Sequence, residues 1–198
     1  MKRFGPVILF ALMCSALAGC NTTKGVGYAN PDYSGYRLTN TAIFVDVKGS
    51  VGDKFEAELV EKLQKRGLQA KSVRNLSRFA RDQDDFLDKV WTGGSHELLV
   101  VGIDGDSSSE SVSSYSMFGN ASTYGGTTTA SGSMVPMRTF HRSTSAVAHV
   151  LLPTGEKAWE SNIERSASGL LFVGSGHTVG EIAEELIANL ERDRLIQK

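Results

Sequence analysis

The first 19 residues constrain the fold most, because their pattern predicts that they are removed from the folded protein. A short positive region leads into an apolar stretch at residues 7–17, and the small residues Ala18 and Gly19 come next. This order is the layout of a secretory signal peptide. The apolar stretch is too short for a spanning helix, which needs about 20 residues. We therefore expect cleavage after residues 1–19, so that the mature chain begins at Cys20.

The residues around the expected cleavage point carry a second signal, because residues 17–20 read Leu-Ala-Gly-Cys. This sequence resembles the lipobox of bacterial lipoproteins, in which a diacylglyceryl group is attached to the cysteine thiol and a further acyl chain, such as palmitate, to its amine. Each buried CH₂ contributes about 0.8 kcal/mol, so two or more chains give a stable anchor. The resemblance implies lipidation of Cys20. An ordinary signal peptide that ends near a cysteine is the alternative.

Cleavage also fixes the composition of the mature chain. The 198 residues become 179, and the 21 basic residues become 19 against 22 acidic ones, since Lys2 and Arg3 are lost. No basic excess calls for a nucleic-acid partner. Cys14 is lost too, and acylation of Cys20 then leaves no intramolecular disulfide, zinc site or cysteine nucleophile. A domain of this size buries about 70% of its unfolded surface and needs no cross-link.

The pattern beyond the cysteine predicts a tether followed by one domain. Residues 20–41 are polar and contain three glycines and a proline, which favours a tether that reaches at most about 70 Å. Residues 42–198 are expected to form a single periplasmic domain. Its first half alternates short β-rich runs with amphipathic helical patterns. The strands are expected at 42–47, 68–73 and 97–102, and the helices around 51–66 and 82–91.

The middle of the domain differs in composition. In residues 105–135, 19 of 31 residues are Ser, Thr or Gly, so this insertion has little apolar area to offset its ordering entropy. We expect a flexible or loosely paired hairpin at 107–134 that projects into the periplasm. Insertion of this hairpin into a membrane is the alternative. It is disfavoured because neither face presents the continuous apolar band that a membrane strand requires.

The chain closes with a hairpin and a helix. Strands at 143–152 and 157–163 flank the turn signal Thr154-Gly155. An apolar stripe centred on Leu186 predicts a terminal helix, and Thr178 and Glu181 fit a capping box at its start. The fold class is therefore α/β (α+β). A βαβαβ unit is followed by antiparallel strands and a C-terminal helix, and helices pack on a mixed sheet.

This order of elements is similar to the periplasmic domain of several outer-membrane lipoproteins. They include the curli secretion channel, the penicillin-binding-protein activators and the ring lipoproteins of exopolysaccharide export, and their domain resembles the N-terminal domain of TolB. The most specific local match is Leu-Leu-Pro-Thr-Gly-Glu-Lys-Ala-Trp at residues 151–159. The resemblance implies no catalytic residues, because these families are not enzymes.

Motifs that could carry chemistry are incomplete. Gly174, Gly176 and Gly180 resemble a dinucleotide loop, but the chain ends before the second strand that such a site needs. Asp104, Asp106 and Glu110 lack the spacing of a calcium loop. The histidines at 96, 141, 149 and 177 are scattered, and no serine-hydrolase elbow occurs. We expect no catalytic residue, cofactor or metal. The arginines at 74, 78 and 81 and the aspartates at 82, 84 and 85 form either an interface or a solvated helix start.

The sequence thus predicts the cellular location of the protein more specifically than its molecular function. We expect a non-enzymatic, membrane-anchored accessory for assembly or export that binds a protein or glycan partner in the envelope. An activator of a peptidoglycan synthase and a pore-forming secretion subunit are the alternatives. Asn21 stands where some bacteria place the aspartate that retains lipoproteins in the inner membrane, which favours the outer membrane. A homo-oligomer is left open.

Overall fold

A computed structural model describes residues 21–124, 127–168 and 175–197. They form one six-stranded sheet in the order β1-β6-β5-β4-β2-β3. The strands are β1 (Asn21–Ala29), β2 (Asn40–Asp46), β3 (Gln69–Ser72), β4 (Glu97–Tyr124), β5 (Thr127–Leu151) and β6 (Lys157–Ser168). The helices are α1 (Gly49–Lys65), α2 (Arg74–Phe79), α3 (Gln83–Thr92) and α4 (Ser175–Arg192), with a 3-10 turn at Pro31–Tyr33.

The sheet is mixed, as the sequence predicts. β2 runs parallel to both β3 and β4, and the remaining pairs are antiparallel. α1 connects β2 to β3, and α2 with α3 connects β3 to β4, which gives the βαβαβ unit. The turn between β5 and β6 places Gly155 at a φ of 84°, a conformation that glycine adopts without steric cost. The predicted fold class is confirmed.

The main core lies between one face of the sheet and the helices α1 and α4. Phe55 and Leu59 of α1 and Leu186 of α4 are completely buried there. A smaller cluster on the opposite face joins α3 to the sheet through Phe86, whose ring lies 5.1 Å from that of Phe44. α2 and α3 cover only the part of this face near β2 and β4. The rest of the face has no helix on it among the described residues.

The predicted tether is wrong for its first nine described residues, Asn21–Ala29. Residues Asn21–Ala29 form the edge strand β1, which pairs with β6 in register from Asn21↔Ala167 to Ala29↔Trp159. Its glycines serve close packing. A Cβ on Gly25 would collide with Asn189, and one on Gly27 with Asp193 and Trp159. Glycine in a strand often marks such a close approach, so polar composition concealed a packed strand.

The predicted capping box is also wrong. α4 already includes Ser175, so Thr178 lies inside the helix and is buried. The carboxylate of Glu181 accepts hydrogen bonds from Arg165 and Asn21, so it acts in tertiary contacts between α4 and the sheet. The sequence pattern also did not predict the short helix α2, which begins at Arg74.

The Ser/Thr/Gly-rich insertion is a regular extension of β4 and β5. The two strands pair from Leu98↔Leu151 to Tyr124↔Thr127, with irregularities between Ile103 and Gly105 and between Val112 and Ser114. β6 accompanies them as far as His141↔Ser168. Beyond that pair the described residues contribute only the two strands of the hairpin, which extend past the end of β6. The structure shows a hairpin here, and its strands keep a defined register and are not loosely paired. Its mobility and its projection into the periplasm stay predictions.

Candidate functional site: the hairpin end of the sheet and an open sheet face

The expected lipidation residue, Cys20, lies outside the described residues, and its neighbour Asn21 is the first residue that the structure describes. Asn21 pairs with Ala167 of β6, Ala167 with Arg142 of β5, and Arg142 with Ser108 of β4. These four residues form one row across the sheet. The projecting hairpin leaves the sheet at the same row. The first residue after Cys20 therefore lies at the base of the hairpin.

A buried ion pair holds this end of β1 against α4. The guanidinium of Arg165 has no solvent-exposed surface, and its Nε donates to Oε2 of Glu181. Glu181 also accepts hydrogen bonds from Nδ2 of Asn21 and from Oγ1 of Thr23. Hydrogen bonds to a charged group are stronger than neutral ones. The start of β1 is therefore bonded to the helix as well as to β6.

Cross-strand ion pairs hold the base of the hairpin. Arg142 donates to Asp106 through two hydrogen bonds of 2.8 and 2.6 Å, and Oγ1 of Thr144 donates to the same carboxylate over 2.9 Å. The Arg142 guanidinium holds the pKa of Asp106 below its usual value. Arg138 pairs with Glu110 at 2.7 Å. Two of the three acids weighed above as calcium ligands therefore have cationic partners within the chain.

The face of the sheet opposite α1 and α4 is open over several strands. Directly paired residues share a face, so the register defines a row that runs from β1 to β2. The row consists of Tyr28, Glu160, His149, Val100 and Phe44. Tyr28 is 60% exposed, and its neighbour on the same face, Val26, is 53% exposed. Four strand spacings give this row a length of about 19 Å.

A groove of about 520 Å³ lies where this open face meets α3 and the α2–α3 loop. His149 forms part of its lining, and Nδ1 of this side chain is buried without a hydrogen-bond partner among the described residues. Burial lowers the pKa of His149, and the nearby charge of Lys157 lowers it further. The lining is largely apolar and comprises Phe44, Ala80, Phe86, Leu87, Leu98, Val100 and Leu151 with Asp46, Ser77, Asp82, Gln83 and His149.

The C-terminal end of α2, beside the groove, carries an exposed aromatic side chain. Phe79 is 79% exposed and is the last residue of α2. The side chains of Arg78 and Arg81 flank it and are 58% and 84% exposed. The basic residues of this run have separate roles, because Arg74 instead donates to the backbone oxygens of Val45 and Val47. The sequence pattern did not distinguish these roles.

The remaining sequence candidates do not converge. Among the described residues, no three His, Cys, Asp or Glu side chains are grouped as metal ligands. Gly174 lies outside the described residues, while Gly176 and Gly180 belong to α4. In the described part of the chain, no helix has the length and apolar character needed to cross a membrane.

No protein-family model and no curated protein matches the chain. Solved structures similar to this chain include the PelC dodecamer from Paraburkholderia phytofirmans. The two chains are 11% identical, with a TM-score of 0.47, and the match covers 90% of this chain and 100% of that chain. A variant of that protein gives 12% identity and a TM-score of 0.46 over 85% and 96% of the two chains. A PDZ domain protein from Parabacteroides distasonis gives 6% identity and a TM-score of 0.36 over 92% of this chain and 38% of that chain. These values are too low to bear on function.

Proposed function

We propose that this chain is a lipid-anchored, non-enzymatic accessory for assembly or export at the outer membrane. In this proposal the hairpin of β4 and β5 meets an envelope partner close to the membrane surface. The observation that carries the proposal is the position of Asn21. It is paired in the sheet one residue after the expected anchor and lies at the end from which the hairpin projects.

The position of β1 supports close attachment to the membrane. A flexible segment of 21 residues would let the domain move about 25 Å from its anchor on average. Asn21 is instead paired with Ala167 and bonded to Glu181, so the acyl chains on Cys20 would begin next to the folded sheet. The anchor end of the sheet would then face the membrane, and the turn at Gly155 would lie at the far end.

The hairpin supports a role in binding. Its strands continue for 15 residues beyond Ser109, which corresponds to about 50 Å at 3.3 Å per residue. Among the described residues, no strand pairs with either outer edge of this extension, because β2 and β6 end before it begins. Such edges can accept an added strand from a partner. Because the arm leaves the sheet at the end that would face the membrane, it would meet its partners at the membrane surface.

The absence of a free tether counts against the activator alternative. An activator of a peptidoglycan synthase that sits across the peptidoglycan needs a long, unfolded connection between its lipid and its domain. Here the segment at 21–29 is a strand. The domain would therefore stay at the membrane surface and would contact only partners that lie there or reach it.

A pore-forming secretion subunit is the second candidate, favoured by one observation. Residues 111–137 contain no charged side chain, and both hairpin strands exceed the 9–11 residues that a membrane-crossing strand needs. Residues Glu110 and Arg138 mark the limit of this uncharged stretch. Against it stands the abundance of serine, threonine and glycine, which leaves no continuous apolar band.

The anchor is tested by changing Cys20 to Ala behind a signal peptide from a soluble periplasmic protein. This exchange avoids retention of an uncleaved leader. We expect the wild-type protein to partition into detergent and the variant into the aqueous phase, because no helix among the described residues is long and apolar enough to cross a membrane. A Cys20→Ser variant is the matched control and should behave like Cys20→Ala. A variant that remains in the detergent phase would contradict lipid anchoring at this cysteine.

The hairpin is tested by shortening it. Val112 and Arg138 are paired, so an Asn-Gly turn that replaces residues 113–137 joins them without changing the register. We expect the shortened protein to fold and to remain on the membrane, but to lose its crosslinks to an envelope partner. Unchanged crosslinks would contradict a binding role for the hairpin. Protease protection of the hairpin in vesicles that contain only this protein would favour the pore-forming candidate.

A further inference from the structure

We propose that two copies of this chain associate by placing Phe79 of each copy in the groove of the other. The groove is the one beside α3 on the open face of the sheet, and the inserted segment is the end of α2 with the start of the loop that follows it, residues 78–81. This inference does not depend on the anchor or the hairpin. It follows from the chemistry of two neighbouring surfaces that complement each other.

The groove offers an apolar floor with an acidic rim. The ring of Phe44 and the side chains of Val100 and Leu151 contribute to a lining that is largely apolar, in a volume of about 520 Å³. Asp46 and Asp82 stand at its edge, both exposed. Within the described residues neither of these carboxylates forms an ion pair. The groove therefore favours a bulky apolar side chain that arrives with a positive charge beside it.

Residues 78–81, at the end of α2 and in the loop after it, present that combination. Phe79 is 79% exposed, and a single exposed apolar residue would need no explanation by itself. Arg78 and Arg81 on either side are more than half exposed, and their ion pairs with Asp53 and Asp85 are long, at 3.5 and 3.3 Å. Surface pairs of this kind contribute little stability, so both guanidinium groups are free to turn toward a second carboxylate.

The position of the loop determines the symmetry of the contact. Ala80 belongs to the same loop and lines the groove, so the inserted side chain and the receiving groove are neighbours on one surface. When a surface carries both parts of a complementary pair, two copies can satisfy each other around a two-fold axis. A closed dimer is therefore expected, with Arg81 of each copy near Asp46 of the other.

Sedimentation of residues 20–198 with Cys20→Ser tests the proposal, because this chain contains every described element. We expect a concentration-dependent dimer. Phe79→Asp should weaken it by about 30-fold or more, the effect of losing a central anchor residue. Asp46→Lys and Arg81→Asp should each weaken it, and their combination should restore most of the affinity. Circular dichroism and urea denaturation of each variant check that it folds.

Val51→Asp is the matched control, because Val51 is a partly exposed apolar residue of α1 on the opposite side of the sheet. It should leave the dimer unchanged. A protein that stays monomeric at every concentration would overturn the proposal and leave the groove to a different occupant. A dimer that survives both Phe79→Asp and Asp46→Lys, or that Val51→Asp disrupts equally, would also overturn it. So would failure of the charge exchange to restore association.

Discussion

The indole Nε1 of Trp159 donates a hydrogen bond to Oδ2 of Asp193 over 2.6 Å. Trp159 belongs to β6 and is 1% exposed, and Asp193 directly follows α4. The same indole leaves no room for a side chain on Gly27 of the edge strand. One aromatic residue thus packs the sheet, the terminal helix and β1 together at the end of the domain away from the hairpin.

We predict that Trp159→Ala lowers the free energy of unfolding by at least about 3 kcal/mol, the usual cost of truncating a buried tryptophan. Trp159→Phe should lower the free energy of unfolding by less than Trp159→Ala does, because the phenyl ring keeps part of the packing. It still loses the hydrogen bond to Asp193. Urea denaturation measures both. In a Trp91→Phe background, iodide should quench Trp159 poorly. Ready quenching would mean that this indole is a surface platform for binding.

The buried pair of Arg165 and Glu181 gives a second prediction. Glu181→Ala leaves a fully buried guanidinium without its carboxylate, so we expect a loss of about 3–5 kcal/mol in the free energy of unfolding. The double variant Arg165→Met/Glu181→Leu should be less destabilised than Glu181→Ala alone, because it removes both charges. A single variant that unfolds at the wild-type urea concentration would show that this pair does not hold α4.

His149 predicts a pH dependence of stability. Its pKa in the folded protein is lowered from 6.5, first by burial and then by Lys157, while Glu160 opposes the shift. The unfolded chain therefore binds a proton that the folded chain resists as pH falls below 6.5, and stability declines there. Above pH 6.5 the imidazole is neutral in both states, and His149 no longer lowers the free energy of unfolding. Urea midpoints at pH 7.5 and 5.5 should differ less for His149→Gln than for the wild type. An equal difference in both proteins would assign the dependence to other groups.

Much of the fold follows from periodicity in the sequence. The spacing of Phe55, Leu59 and Leu63 predicts α1, and all three side chains are completely buried. The glycine at position 67 marks the end of this helix and has a φ of 83°. The local sequence Thr154-Gly155 likewise predicts the turn between β5 and β6, where Gly155 has a φ of 84°. In each case a local pattern determines a local structure, and tertiary contacts reinforce it.

The errors occur where tertiary contacts decide the outcome. The polar residues of β1 predict a tether because its pairing partner, β6, lies about 140 residues away in the sequence, and its glycines are explained only by Asn189 and Asp193. Glu181 has the spacing of a capping residue, but the buried Arg165 binds it. The groove could not be foreseen, because its lining comes from β2, β4, β5, α2, α3 and the loop between these two helices.

The central claim is that the lipid anchor and the hairpin share one end of the sheet. Energy transfer from a single labelled cysteine to an acceptor in the membrane tests it, since an acylated Cys20 does not react with the label. Ser109 lies at the base of the hairpin and Thr154 at the opposite turn, and both are exposed. About ten residues of β5 separate the base of the hairpin from this turn, which corresponds to about 33 Å along the strand.

We predict that, in vesicles carrying the lipidated protein, transfer is efficient from the Ser109→Cys label and weak from the Thr154→Cys label. Membrane partitioning of each labelled protein is measured alongside, so that a difference in transfer reflects orientation. Equal transfer from both positions, or stronger transfer from Thr154→Cys, would contradict the shared end of anchor and hairpin.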